Sequence, residues 1–180
     1  MAEYPDELAR EHRLFDGRRV TIRPMRPDDD AGERDFLSRL SGESRYQRFH
    51  KWVRAPSDRL VHFLTEIDYD RHMAYVCSAA SGDREELVGE ARYVVNPDGV
   101  SCEFGVMIAD AWHKTGIAGL LMEALIDTAR EKGLGSMEGL VLRRNVAMLR
   151  FARALGFEIL DAPEDPFAVR VVKRLQLHRS

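Results

Sequence analysis

The chain has 180 residues, with 27 Lys and Arg against 30 Asp and Glu, a formal charge of −3, and 44% hydrophobic residues. A chain of this length removes about 70% of its unfolded surface from water on folding, so we expect one globular domain. It has no block of Lys or Arg, which argues against a nucleic-acid partner. No apolar run reaches the roughly 18 residues of a membrane helix, and the N-terminus lacks a signal-peptide core. We therefore expect a cytoplasmic protein that binds no membrane.

Cysteine and histidine usage argues against disulfide and metal chemistry. Cys77 and Cys102 lie far apart in strand-like apolar segments, without a CxxC motif, which favours buried free thiols over a disulfide. The six histidines form no cluster with the spacing of metal ligands. We expect no metal site.

The first part of the chain is mainly helical in pattern. Residues 1–16 are interpreted as a charged leader, and residues 17–27 as an edge strand in which Val20 and Ile22 alternate with polar residues before two prolines. A helix should begin at the acidic residues 28–30. Ser44 and Ser57 are candidate N-caps of two further helices. The last of these is predicted to bury the face formed by Leu60, Phe63, Leu64 and Ile67.

From residue 72 onward the pattern changes to a sheet with helices. Strands are predicted at 73–80, 86–95 and 101–109, with a turn at 96–99. An amphipathic helix at 116–132, a strand at 137–142, a helix capped by Asn145 and ended by Gly156, and strands near 157–160 and 168–173 follow. The fold class is α/β (α+β), with a mixed, largely antiparallel sheet of about six or seven strands flanked by helices. Its strand-helix-strand unit should be parallel and right-handed.

The turn before the long helix has the features of a phosphate-binding loop. Residues 110–119 form a short polar segment in which Gly116 and Ala118 allow close approach of an anion to the backbone. Lys114 adds a positive side chain. An ordinary strand-to-helix connection has the same composition, so the turn alone leaves both interpretations open.

Three motifs together resemble the GNAT superfamily of N-acetyltransferases over residues 18–175. His113-x-x-Gly116-x-Ala118 is similar to the Gln/Arg-x-x-Gly-x-Gly/Ala coenzyme A signature, with His in the first place. The strand 105–108 and the later Asn145-x-x-Met148 followed by 155–157 match in type and order. Segments 40–50 and 64–70 resemble the acetyltransferase domain of bacterial protein-lysine acetyltransferases of the Pat type. Those proteins often carry a regulatory or synthetase-like portion, for which 180 residues leave no room, so we expect a single GNAT domain at 17–175.

The resemblance implies a GNAT acyl-CoA N-acyltransferase fold, acetyl-CoA as cosubstrate, no metal, and an amine acceptor, in a monomer or homodimer. It implies that Asn145, besides capping its helix, contacts the pantetheine arm. The pantetheine arm would run beside the strand residues Val106, Met107 and Ile108. The pyrophosphate would lie near His113, on a loop that consists of Lys114, Thr115, Gly116, Ile117, Ala118 and Gly119.

Glu103 is the candidate general base, since a lysine amine with a pKa of about 10.4 must lose a proton before it attacks. It precedes the cofactor strand and matches the position of the base in the similar lysine acetyltransferases. If residues 96–99 form the hairpin turn, however, the numbers of residues that face each other across the two strands sum to 195, so that Arg92 faces Glu103. In that case Glu103 could form only a cross-strand ion pair. Glu90 is the substitute base.

Ala152 occupies the place where many relatives have a Tyr that protonates the leaving thiolate, so either the thiolate leaves unassisted with water as the acid or another group protonates it. In this superfamily the helical front section borders the acceptor site, and it includes Tyr46, Arg48, Phe49, Trp52 and the acidic trio Glu66, Asp68 and Asp70. The predicted function is acetylation of a primary amine, with protein lysine favoured. The alternatives are a small-amine acetyltransferase (polyamine, amino sugar or antibiotic) and a non-catalytic acyl-CoA-sensing module.

Overall fold

The computed structural model describes residues 2–49 and 56–175, with the side chains of residues 46, 47 and 49 left undescribed. One sheet of eight strands runs in the order β1-β2-β3-β4-β5-β6-β8-β7. The strands are β1 Arg10–Arg13, β2 Arg19–Pro24, β3 His72–Ser81, β4 Arg84–Val95, β5 Ser101–Ile108, β6 Ser136–Leu142, β7 Glu158–Asp161 and β8 Ala168–Arg174. The helices are α1 Asp30–Arg39, α2 Gly42–Phe49, α3 Asp58–Thr65, α4 Ile117–Glu131 and α5 Val146–Ala154.

The sheet confirms the predicted fold class and its crossover. β5 and β6 are parallel and joined by α4, whereas every other neighbouring pair is antiparallel. The segment called a leader supplies β1, which pairs with β2 from Arg10 opposite Ile22 to Arg13 opposite Arg19. The strand predicted within 17–27 forms as β2, but its predicted edge position is wrong, because β1 pairs with its outer side.

The β4–β5 hairpin has a different register from the one expected. The predicted turn at 96–99 forms, since the Gly99 amide donates to the Asn96 carbonyl at 2.9 Å. The Asn96 amide also donates to the Ser101 carbonyl at 2.8 Å, so Asn96 pairs with Ser101 and the turn lies within a four-residue loop. Asp98 tightens this loop by accepting the amides of Val100 and Ser101, both at 2.9 Å. Paired positions consequently sum to 197, and Glu103 lies opposite Val94. The predicted Arg92–Glu103 ion pair is wrong.

The capping predictions have mixed outcomes. Ser57 caps α3 by accepting the Leu60 amide at 3.1 Å, as predicted. Ser44 lies inside α2 instead of capping it, and its amide donates to the Ser41 hydroxyl at 3.0 Å.

The buried side of α3 also differs from the expected face. Val61, Leu64 and Thr65 are its buried residues, whereas Phe63 is 55% exposed. The helix is rotated so that Val61 enters the core, and the Phe63 ring lies against His72 with centroids 5.2 Å apart.

The core lies between the sheet and its helices. α4 contributes a buried face that packs on β3 and β4, and the Tyr75 hydroxyl lies 2.6 Å from the Thr128 hydroxyl. That face comprises Ile117, Leu121, Met122, Leu125, Ile126, Thr128 and Ala129. Cys77 and Cys102 are both buried and free. Among the helices of the described ranges, none combines the length and apolar character that crossing a bilayer requires.

Candidate active site

A wedge-shaped cleft opens where β5 and β6 separate. The two strands pair only from Ser101–Glu103 to Ser136–Glu138. Immediately beyond, the Phe104 ring fills the gap, and its Cε1 lies 2.7 Å from where a Cβ on Gly139 would be. Phe104 also packs on Phe157, with ring centroids 5.1 Å apart. Past Glu103, therefore, β5 keeps its β4 neighbour while its other backbone edge borders the cleft.

The cleft has a volume of about 940 Å³, within the usual range for a small-molecule site. Most of the predicted site residues line it: Glu103, Val106, Met107, Ile108, His113, Lys114, Gly116, Ala118 and Asn145. Thr115, Ile117 and Gly119 do not. The Thr115 hydroxyl donates to the Trp112 carbonyl at 2.6 Å, and Ile117 is buried, so these two offer only their backbone. Gly119 lines a neighbouring cavity of about 490 Å³ with Lys173.

The start of α4 fits an anion. Gly116 is the N-cap with φ 90°, no side chain satisfies the first helical turn, and no atom lies within 4 Å of the position of a Cβ. The unpaired amides of a first helical turn and the helix dipole attract negative charge. Lys114, also at positive φ, stands beside them. The residues present are thus suited to a pyrophosphate.

His113 and Asn145 are held by local contacts at the cleft. The His113 Nε2 lies 3.1 Å from the Ile108 carbonyl oxygen, so the imidazole closes the end of β5. The Asn145 side-chain oxygen accepts the Met148 amide at 3.2 Å, which confirms the predicted N-cap. Its side-chain NH₂ group is the donor that Asn145 can offer to a ligand.

Glu103 is exposed in the mouth of the cleft. It takes part in none of the ion pairs found among the described residues. Its register partner across β6 is Glu138, whose carboxylate accepts hydrogen bonds from Asn96 at 3.3 Å and Arg170 at 3.4 Å. Two apolar side chains share the mouth, Val94 at 39% and Phe63 at 55% exposure. The mouth therefore combines one accessible carboxylate with an apolar rim.

A buried charge network lies behind the cleft. Arg92 donates to both Glu90 oxygens, at 3.0 and 3.3 Å, to the Leu64 carbonyl at 2.8 Å and to His72 at 3.0 Å. Burial alone would raise the pKa of Glu90, but the Arg92 guanidinium, hydrogen bonds from Glu33 and Arg92, and the Arg48 charge together outweigh burial and hold that pKa below its ordinary value. Burial and Arg92 lower the pKa of His72 to about 4, so His72 is a neutral acceptor. Both oxygens of Glu90, the substitute base suggested by sequence, are therefore bound to Arg92.

Glu33 completes the network, and sequence reasoning missed it. Its carboxyl is fully buried on α1, 4.0 Å from Arg92. Burial, and then the neighbouring Glu90 charge, raise the pKa of Glu33 well above its ordinary value. Neither Glu33 oxygen has a hydrogen-bond donor, an environment that favours the protonated carboxyl over the buried carboxylate. In sequence this residue resembles any acidic residue in a first helical turn, so no signal marked it.

Of the residues predicted in the helical front section, Arg48 lines the cleft. The acidic trio Glu66, Asp68 and Asp70 instead makes structural contacts. A Cβ on Gly105 would overlap the Arg48 guanidinium, which therefore lies flat against β5 in the cleft. Asp68 accepts the amides of residues 70, 71 and 72 at 2.9–3.0 Å, while Glu66 pairs with His62 and Asp70 with Lys132. The side chains of Tyr46 and Phe49, and all of Trp52, lie outside the described residues.

Within residues 2–49 and 56–175, no cluster of three or more His, Cys, Asp or Glu side chains is arranged to hold a metal ion.

Comparison with known proteins agrees with this geometry. Residues 19–158 match the family model described as "Acetyltransferase (GNAT) domain". The chain is 37% identical over 164 residues to Acetyltransferase PA5475 of Pseudomonas aeruginosa, covering 91% of this chain and 87% of that protein. It is 30% identical over 136 residues to Acetyltransferase Pat of Mycolicibacterium smegmatis, covering 75% of this chain but only 40% of that protein.

Solved structures show the same fold. The GNAT domain of S. lividans PAT superposes with a TM-score of 0.86 at 25% identity, covering 96% of this chain and all of that one. YncA from Salmonella typhimurium, solved with its cofactor acetyl-CoA, shares the fold with a TM-score of 0.67 at 19% identity, covering 89% and 96% of the two chains. The chain belongs to the GNAT family of acetyltransferases, enzymes that take an acetyl group from acetyl-CoA.

Proposed function

We propose that this enzyme acetylates the side-chain amine of protein lysine, with Glu103 as the general base. The observation that carries the proposal is the placement of Glu103. Its carboxylate is exposed in the cleft mouth, a few residues before the stretch of β5 whose free edge borders the cleft. The new hairpin register supports this role, because Val94 and not Arg92 is its cross-strand partner.

The residues around the cleft divide the binding of acetyl-CoA among them. The amides at the start of α4, with Lys114, would take the pyrophosphate. The free edge of β5 at Val106–Ile108 would hold the pantetheine arm by sheet-like hydrogen bonds, and Asn145 would donate to it from the opposite lip. A backbone amide of this β5 segment would also face the thioester carbonyl oxygen, where negative charge develops.

The chemistry then requires one base and no covalent enzyme intermediate. Glu103 accepts the proton of the acceptor ammonium, directly or through a water. The neutral nitrogen attacks the thioester carbon, a C–N bond forms, and the C–S bond breaks. Coenzyme A leaves as a thiolate that is protonated by water, because Ala152, which is buried, cannot supply a proton.

The rim of the cleft supports a lysine acceptor. Phe63 and Val94 flank Glu103 with exposed apolar surface, which suits the four-carbon stem of a lysine side chain. The resemblance to Pat-type acetyltransferase domains points the same way. The alternative of a catalytically silent sensor had two grounds, the Ala152 that replaces the usual Tyr and an Arg92–Glu103 pair, and it loses the second because that pair does not form.

The test is thiol release from acetyl-CoA in the presence of lysine peptides and, in parallel, of a panel of small amines. The proposal predicts release that depends on the peptide, with acetylated lysine found by mass spectrometry. Faster turnover of one small amine with no labelled peptide would instead assign a small-molecule acceptor.

A further inference from the structure

Helix α2 bridges the two lips of the cleft. On the side that follows β5, the Ser44 hydroxyl lies 3.0 Å from the Asp110 carboxylate. On the side that follows β6, Glu43 pairs with Arg144 at 3.2 Å. One turn further along, α2 carries Arg48, whose guanidinium lines the cleft. The helix therefore delivers a positive charge into the space that the acceptor must enter.

The position of Arg48 is fixed by the absence of a side chain at Gly105. A Cβ there would overlap the guanidinium, so the two groups lie in direct contact. Because side chains alternate along a strand, Glu103, Gly105 and Met107 share one face of β5. Arg48 consequently lies between the candidate base and the β5 segment that would hold the thioester.

The charges around Arg48 leave its effect on an acceptor intact. From β4, Glu90 and Arg92 largely compensate each other, while the raised pKa of Glu33 on α1 and the lowered pKa of His72 on β3 both favour the uncharged form. Glu103 on β5 is the remaining carboxylate that influences Arg48. Burial and Arg92 lower the pKa of Arg48, but a guanidinium begins so high that it stays charged at neutral pH.

We propose that Arg48 disfavours the ammonium form of the acceptor once it is bound, so that the amine is held neutral and ready to attack. This inference rests on the proposed function and deepens it. A fixed cation repels an ammonium but not an amine, so it shifts the bound acceptor toward its neutral form. The proton that leaves the ammonium goes to Glu103, and the bonds formed and broken in the acetyl transfer are those described above. Arg48 thus governs which protonation state of the acceptor occupies the site.

The test is the pH dependence of kcat, measured at saturating lysine peptide, for wild type and Arg48→Gln. The kcat profile reports ionisation within the complex, whereas kcat/KM reports the free enzyme and free acceptor. We expect the rising limb of kcat to move to higher pH by about one unit, which is about a tenfold loss below that limb. The two enzymes should converge at high pH, and the kcat/KM limb set by the free peptide should stay in place.

Three further variants sharpen the test. Arg48→Lys should restore most of the profile, because it restores the charge. Gly105→Ala should reproduce part of the shift, since its Cβ displaces the guanidinium without removing it. Arg59→Gln, on the exposed face of α3, is the matched control and should leave the profile unchanged. A peptide carrying thialysine, a less basic analogue, should be much less sensitive to Arg48→Gln.

The outcomes separate this inference from the proposed function. A uniform fall in kcat at every pH would show that Arg48 only supports the fold, and an unchanged profile would show that its charge is irrelevant; either overturns the inference alone. Wild-type enzyme that transfers acetyl to no lysine peptide would overturn both. Thermal melting and acetyl-CoA titration of each variant exclude misfolding as the cause.

Discussion

The buried pair Glu33 and Glu90 should respond in opposite ways to the same chemical change. Glu90→Gln replaces one of the two oxygens that bind Arg92 with an NH₂ group, which cannot accept a hydrogen bond. Arg92, whose side chain is 3% exposed, is left with a buried charge that lacks its counter-ion. Glu33→Gln keeps the shape of the protonated carboxyl and can still donate to Glu90.

The magnitudes follow from burial. Breaking a buried ion pair by removing one partner costs about 3–5 kcal/mol. For a chain of this size, each kcal/mol moves Tm by about 2–4 °C, so Glu90→Gln should lower Tm by roughly 6–20 °C. Glu33→Gln should lower it little or raise it.

The direction in which Glu33 changes protein stability depends on pH. The folded pKa of Glu33 lies above its value in the unfolded chain, so the native state binds a proton that the unfolded state releases. Its contribution to stability is complete below the unfolded pKa and is lost as pH rises through the folded pKa. Glu33→Gln removes this loss and should therefore gain stability relative to wild type as the pH rises above the ordinary pKa of a glutamate.

Urea unfolding followed by circular dichroism, repeated as the pH is raised, measures these differences. Equal destabilisation by Glu33→Gln and Glu90→Gln, or a Glu33→Gln protein that becomes less stable than wild type as the pH rises, would contradict these expectations.

Variants at three further positions probe the cleft. Gly116→Ala should cost about 1–2 kcal/mol of stability through its positive φ, yet weaken acetyl-CoA binding more than tenfold in calorimetry; unchanged affinity would remove Gly116 from the pyrophosphate site. Gly139→Ala should push the Phe104 ring into the cleft and raise the KM for acetyl-CoA, and an unaltered KM would show that the ring moves elsewhere. Asn145→Ala should lose about 1 kcal/mol as a helix cap and bind acetyl-CoA more weakly, whereas Asn145→Ser, a comparable cap, should recover only the stability.

Local features of the fold could be read from the sequence. The crossover from β5 through α4 to β6 rests on a helix with an apolar face and on flanking glycines, and both act over a few residues. The cofactor loop was found because Gly116 and its neighbours form a contiguous motif. Asn145 was found because an N-cap acts within one helical turn.

Features set by distant contacts could not be predicted. β1 has the sequence REHR, which lacks the alternation of a half-buried strand and depends on β2 for its pairing. The hairpin register was missed because Asp98 and the Asn96–Ser101 pair close the loop, and a turn propensity does not encode that choice. The contact between Arg48 and Gly105 joins residues from separate elements, so no local sequence pattern predicts it.

The central claim is that Glu103 removes the proton from the acceptor, and one comparison tests it most directly. Acetyl-CoA thiol release with a lysine peptide would be measured for wild type, Glu103→Gln and Glu138→Gln, the last a neighbouring carboxylate already bound by Asn96 and Arg170. We predict that Glu103→Gln binds acetyl-CoA normally but transfers acetyl at least about a hundredfold more slowly, while Glu138→Gln stays within a few-fold of wild type. A Glu103→Gln enzyme as fast as wild type would contradict the account and show that another group, or water, takes the proton.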